Sequence, residues 1–81
     1  MRGTVRLFAS LREAAGRSKI EWELVEGATV EMLVAHLRTT LPGLDEQAGN
    51  TWIAVNRRYA SLETALRDGD EVALFPPVSG G

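Results

Sequence analysis

The chain closes on Leu66-Arg67-Asp68-Gly69-Asp70-Glu71-Val72-Ala73-Leu74-Phe75-Pro76-Pro77-Val78-Ser79-Gly80-Gly81, and the reading of this stretch decides the fold. Asp68-Gly69-Asp70 is a strong turn signal. Residues 71–75 then alternate, with Val72 and Leu74 on one side and Ala73 and Phe75 on the other, the pattern of a half-buried strand. Pro76-Pro77 ends it, because proline has no N–H to give to a ladder. The chain thus finishes on a strand that must pair with one laid down earlier, followed by a short tail over 76–81.

Working upstream, residues 4–9 also alternate. Val5, Leu7 and Ala9 share one face, and Arg6 and Phe8 share the other. Ser10-Leu11-Arg12-Glu13 has the spacing of a capping box and predicts a short helical turn that stops at Gly16. Residues 19–25 form a second strand, with Ile20, Trp22 and Leu24 facing one way. Thr29 is the expected N-cap of a helix running to about Leu41, whose stripe of Val30, Leu33, Val34, Leu37 and Leu41 faces the core; Pro42-Gly43 stops it. Residues 44–50 read as loop. Residues 51–55 form a third strand, Asn56-Arg57-Arg58 a turn, and Ser61–Leu66 a short helical or irregular piece.

An opening hairpin, one long helix and then more strands predict an α+β fold, a mixed sheet with one main helix packed on one face. A right-handed crossover sets the last strand beside the first, in the middle of the sheet. This is the ubiquitin-like β-grasp arrangement. The expected organisation is a β-grasp domain over 1–75 and a flexible Gly-Gly tail over 76–81.

Composition narrows the function classes. At 81 residues the chain is a single small domain that buries only about 60% of the surface of its unfolded form, which leaves little room for a deep pocket beside a core. The net charge is −2, with Lys and Arg scattered, so nucleic acid is not an expected partner. No apolar run is long enough to span a membrane, and Met1-Arg2-Gly3 leads into a strand rather than a signal peptide, so the expected address is the cytoplasm. With no cysteine, disulfides and thiolate metal sites are excluded.

The tail carries the chemistry. A free C-terminal carboxylate is ionised at neutral pH and is a poor acyl donor until it is activated, for instance as an acyl-adenylate. Pro76 and Pro77 favour an extended exit. The last five residues span roughly 17 Å at about 3.3–3.6 Å each. Gly80 and Gly81 lack side chains, so the backbone can enter a narrow channel and be approached closely. Each feature suits a carboxylate handed to another protein's active site.

The closing stretch resembles the C-terminus of the molybdopterin synthase small-subunit family. Val5-Arg6-Leu7-Phe8-Ala9-Ser10-Leu11-Arg12-Glu13 resembles the start of that family, and Ala54-Val55-Asn56 its third strand. The resemblance implies a ubiquitin-like sulfur carrier without an active site of its own. A ubiquitin-activating-like adenylyltransferase would activate Gly81 with ATP, and sulfur from a persulfide on a sulfur donor enzyme would replace AMP to give a thiocarboxylate. The tail would then enter the large synthase subunit, in a heterotetramer, and pass sulfur to cyclic pyranopterin monophosphate to build the molybdopterin dithiolene. Gly81 would carry the sulfur and Gly80 let the tail thread. Pro76, Pro77, Val78 and Ser79 would lie along the partner. The chain itself would bind no cofactor or metal, ATP being used by the activating enzyme. Two alternatives stay open: a sulfur carrier for another product (thiazole, a thiolated tRNA base or cysteine), and a modifier joined to lysines through Gly81.

A docking face is also expected. If Leu7, Val72 and Leu74 point to the helix, Phe8, Ala73 and Phe75 point away from it, and Phe8 and Phe75 form an exposed patch close to the tail. Tyr59 extends the patch. Arg12, Arg57 and Arg58 are candidate rim contacts to acidic groups on a partner; exposed charge pairs contribute little, so a solvated-surface role is the better reading of the three, with Arg12 favoured slightly by the family resemblance. His36, the single histidine, reads as a solvated helix residue; Asp68, Asp70 and Glu71 as a capped turn rather than a cation site; and Trp22 as core. The facing of Trp52 is left open.

Overall fold

The computed structural model describes residues 1–41 and 51–76. The elements in chain order are β1 (Arg2–Leu7), α1 (Ala9–Ala15), β2 (Lys19–Glu23), α2 (Val30–Thr40), β3 (Trp52–Val55), β4 (Arg58–Tyr59) and β5 (Glu71–Phe75). They form one five-stranded sheet in the order β2-β1-β5-β3-β4. β1 and β5 are parallel, pairing Val5 with Val72 and Leu7 with Leu74. The other neighbours, β1–β2, β3–β5 and β3–β4, are antiparallel. The last strand therefore lies beside the first at the centre of the sheet, the β-grasp arrangement that the order of elements predicts.

The core lies between the sheet and α2. Val5, Leu7, Trp22, Ile53, Val72 and Leu74 from the strands cluster with Val30, Leu33 and Leu37 from the helix, and with Leu11 of α1 and Leu66. Val34 and Leu41, on the same helical stripe, are half-buried and pack at its margin. Trp22 is 2% exposed, and its indole N–H donates to the Asp70 carbonyl at 3.1 Å, so the ring is buried without leaving its one polar group unpaired. The indole lies against Gly3, its partner across the β1–β2 ladder; a Cβ on Gly3 would collide with both the indole and the Asp70 carbonyl oxygen.

α2 begins as its sequence requires. The Thr29 hydroxyl accepts from the Met32 amide at 3.5 Å. The two preceding free amides are taken by the irregular stretch after β4, with Val30 N–H donating to Thr64 O and Glu31 N–H to Leu62 O, both at 2.9 Å. The 61–66 segment is thus irregular rather than helical, and Thr29 and Ala65 form a single bridge across it.

Three boundaries differ from the sequence expectation. β1 ends at Leu7 instead of Ala9, because the Phe8 amide still bonds Leu74 O while the Phe8 carbonyl already accepts from Leu11 N–H. Phe8, not Ser10, is the N-cap of α1, and no side chain caps it. Ser10 lies inside the helix, so its spacing to Glu13 does not act as a capping box; Ala9, at φ 51°, makes the turn from strand to helix in one residue. Third, Arg58-Tyr59 is a strand. Asn56 and Arg57 have φ of 51° and 71°, the backbone of a two-residue hairpin loop, and return the chain along β3.

Asp70 is the buried charged residue of the turn before β5, at 7% exposure. Its carboxylate accepts from Asn56 Nδ2 and from the Arg67 amide, each at 2.8 Å. Asn56 Oδ1 in turn accepts from the Glu71 amide at 3.0 Å. Asp68 accepts from the Arg2 amide at 2.8 Å. These carboxylates are committed to backbone and amide donors, which is the capped turn read from the sequence. At the outer edge, Arg2 Nε donates to Glu23 Oε2 at 2.7 Å; that bond raises the guanidinium pKa and holds the Glu23 carboxyl below its ordinary range.

Candidate functional site, an aromatic cleft on the open face of the sheet

The period of two along each strand sends every second side chain away from α2. In β5 these are Glu71, Ala73 and Phe75; in β3, Trp52 and Ala54; in β4, Tyr59; and in β1, Arg2, Thr4 and Arg6. The parallel register sets Arg6 beside Ala73 and carries Phe8, one residue past the strand, beside Phe75. Their rings stack, with centroids 4.6 Å apart and planes at 10°. On the other side of Phe75 the antiparallel register brings Trp52. Trp52 meets Tyr59 edge-on at 5.5 Å and 66°. Four aromatic side chains therefore cross the open face in the order Phe8, Phe75, Trp52, Tyr59.

Most of this row stands in solvent. Phe8 is 37% exposed, Trp52 52% and Tyr59 77%. Beside the rings, Ala54 and Ala73 face each other across β3 and β5 and form a low floor. The result is an open cleft of ≈ 320 Å³. Its floor is the two alanines, its walls are Phe8, Phe75 and Tyr59, and Arg6, Arg57 and Glu71 complete the lining. Exposed aromatics around a concave apolar floor are the anchor type found at protein interfaces. The cleft offers apolar contact and ion pairing; among the described residues its lining includes no histidine, serine or threonine.

The expected docking residues divide clearly. Phe8, Phe75 and Tyr59 come together in the cleft. Pro76 follows Phe75 and is half-buried. Arg12 is exposed on α1, one turn past Phe8, and is outside the cleft lining. Pro77, Val78, Ser79, Gly80 and Gly81 lie outside the described residues, as do Pro42-Gly43 and the 44–50 loop. Trp52, whose facing the sequence left open, is on the open face. Arg57, exposed, lines the cleft, whereas Arg58 pairs with Val55 and His36 is exposed on α2. Ala54 and Glu71 are cleft residues that sequence reasoning missed. The signal that finds them is the pairing of β3 with β5, which follows once β4 is recognised as the return strand.

Among the described residues, no group of three His, Asp or Glu side chains is arranged to hold a metal ion, and no helix is long and apolar enough to cross a membrane.

Comparison with known proteins agrees with this geometry. The sequence matches the ThiS family over residues 5–81. A molybdopterin synthase sulfur carrier subunit from Chlamydomonas reinhardtii is 42% identical over 79 residues, covering 95% of each chain. The crystal structure of SAMP1 from Haloferax volcanii, a small archaeal modifier protein, superposes with a TM-score of 0.91 at 32% identity, covering 100% of both chains. A chain in the complex of subunits 1 and 2 of the molybdopterin-converting factor from Helicobacter pylori does so with a TM-score of 0.74 at 32% identity, again over 100% of both. With a family match from Val5 to the last residue and the central parallel pair of a β-grasp sheet, this chain belongs to the ThiS family, among relatives that include molybdopterin synthase sulfur carrier subunits.

Proposed function

We propose that this chain is the sulfur carrier subunit of a molybdopterin synthase, bearing its cargo as a thiocarboxylate on Gly81. The observation that carries the reading is the stacked pair of exposed Phe8 and half-buried Phe75, at the end of β5 where the chain passes to Pro76 and the Gly-Gly terminus. A carrier with no catalytic constellation needs two things, an activatable end and a face by which a catalytic partner holds it. The terminal carboxylate supplies the first. Adenylation with ATP by a ubiquitin-activating-like enzyme converts it to a mixed anhydride, from which a sulfur nucleophile displaces AMP. The absence of cysteine means that no thiol of this chain can intercept that anhydride. The aromatic cleft supplies the second, and the large synthase subunit is its proposed occupant. The relative from Helicobacter pylori, solved as a complex of subunits 1 and 2, supports that pairing. The sulfur acceptor is cyclic pyranopterin monophosphate.

Intact mass of the protein from cells that also supply the activating enzyme and sulfur donor tests the carrier role. The expected species has one oxygen replaced by sulfur and is lost when Gly81 is deleted; an unmodified carboxylate on every molecule rejects the role. The likeness to SAMP1 favours one second reading, a modifier joined to lysines through Gly81. That reading predicts covalent adducts in cell extracts that survive thiol treatment.

A further inference from the structure

The cleft has charge as well as aromatic rings, and the charge is unbalanced. Arg6 and Arg57 line it together with Glu71. Arg6 sits opposite Ala73, two residues along β5 from Glu71, and Arg57 follows Asn56, whose amide donates to the Glu71 carbonyl at 2.8 Å. Two guanidinium groups and one carboxylate give this site a charge of +1, in a chain whose net charge is −2. Among the described residues the ion pair within 4 Å is Arg2–Glu23, at the opposite edge of the sheet, so Arg6 and Arg57 are not neutralised by a neighbouring side chain.

We propose that Arg6 and Arg57 select the partner that docks on this face, admitting a protein surface that presents a carboxylate next to an apolar anchor. The inference rests on the reading of the aromatic cleft as a docking face. Its physical basis is desolvation. An exposed arginine gains little from an ion pair in water. Once an apolar side chain fills the floor over Ala54 and Ala73, water leaves the cleft and the same pair strengthens. A partner without a carboxylate would strip water from two guanidinium groups and return nothing, which costs free energy and rejects it. The planar guanidinium also suits two-point contact with a carboxylate better than a lysine would. Glu71 works against this attraction, which gives the proposal a sign that a purely structural role does not have.

The test measures the affinity of the full-length chain for the large subunit of molybdopterin synthase from the same source, by calorimetry at low and high NaCl. The variants are R6E/R57E, E71Q and F75A, each first checked for an unchanged melting profile. At low salt R6E/R57E weakens binding by about tenfold or more and flattens the salt dependence. E71Q tightens binding, and F75A weakens it while keeping the wild-type salt dependence. If R6E/R57E binds as wild type while F75A is weakened, selection by charge is refuted and the docking face stands. Weakening by E71Q as well as R6E/R57E assigns these residues a structural role and refutes the proposal. Wild-type affinity in F75A overturns the docking reading and the proposal with it. If R6E/R57E instead dissociates a homodimer of the free chain and leaves large-subunit binding unchanged, the face belongs to a second copy and the proposal fails.

Discussion

Gly3 and Phe8 show how differently two residues of one β-strand region are constrained. Gly3 lies under the Trp22 indole and against the Asp70 carbonyl, neither of which is a flexible end that can swing aside. Gly3→Ala therefore lowers stability by about 1–3 kcal/mol, the usual cost of overpacking, and thermal or denaturant unfolding reads it. Phe8 is 37% exposed and touches Phe75 on the open face. Phe8→Ala and Phe75→Ala are expected to weaken large-subunit binding while leaving the fold intact, read as a loss of affinity with a nearly unchanged melting temperature. A large drop in melting temperature would make them core residues instead. The residue scale is also where the sequence was most legible: the period of two separated Val72 and Leu74 from Ala73 and Phe75. What it could not show was the turn at Ala9. A left-handed alanine leaves no mark in a pattern of apolar and polar residues, so Ser10 reads as a cap it does not form.

Among the elements, the β3–β4 hairpin decides the width of the cleft, since it brings Tyr59 beside Trp52. Its strand β4 is two residues long, too short for any periodicity, and Asn56-Arg57 lacks the glycine that usually announces such a loop. The hairpin is held from outside, by the Asn56 side chain bridging Asp70 and the Glu71 amide. Two substitutions separate the contributions. Asn56→Gly keeps the φ of 51° without strain but removes both side-chain bonds, and is expected to cost about 1–3 kcal/mol. Asn56→Ala loses the same bonds and also holds an L-residue in the left-handed region, adding about 1 kcal/mol. Equal stability of the two variants in denaturant unfolding would contradict this. At α2 the Thr29 bond is long, at 3.5 Å, and neighbouring amides are held by Thr64 and Leu62 carbonyls. Thr29→Ala is accordingly expected near the low end of the N-cap range, at about 0.5 kcal/mol.

For the whole molecule, the parallel pairing of β1 and β5 is the decisive feature. Two parallel central strands finish at the same end of the sheet, so Phe8 and Phe75 meet there, where β5 passes to Pro76. The order of elements in the sequence was enough to expect this, because an opening hairpin, one long helix and then further strands set the last strand beside the first in the middle of the sheet. The charged side of the cleft was not legible in the same way. Arg6, Arg57 and Glu71 are far apart in sequence, and single charges on alternating strands read as solvated surface until the register brings them to one cleft. The central claim is that Gly81 carries sulfur to a partner held on the aromatic face. It is tested most directly by a single-turnover transfer, in which the chain is loaded with radiolabelled sulfur and mixed with the large subunit and cyclic pyranopterin monophosphate. The expected result is label in the pterin product and a chain whose mass has returned to that of the free carboxylate. Label that stays on the chain, with no labelled pterin formed, would contradict it.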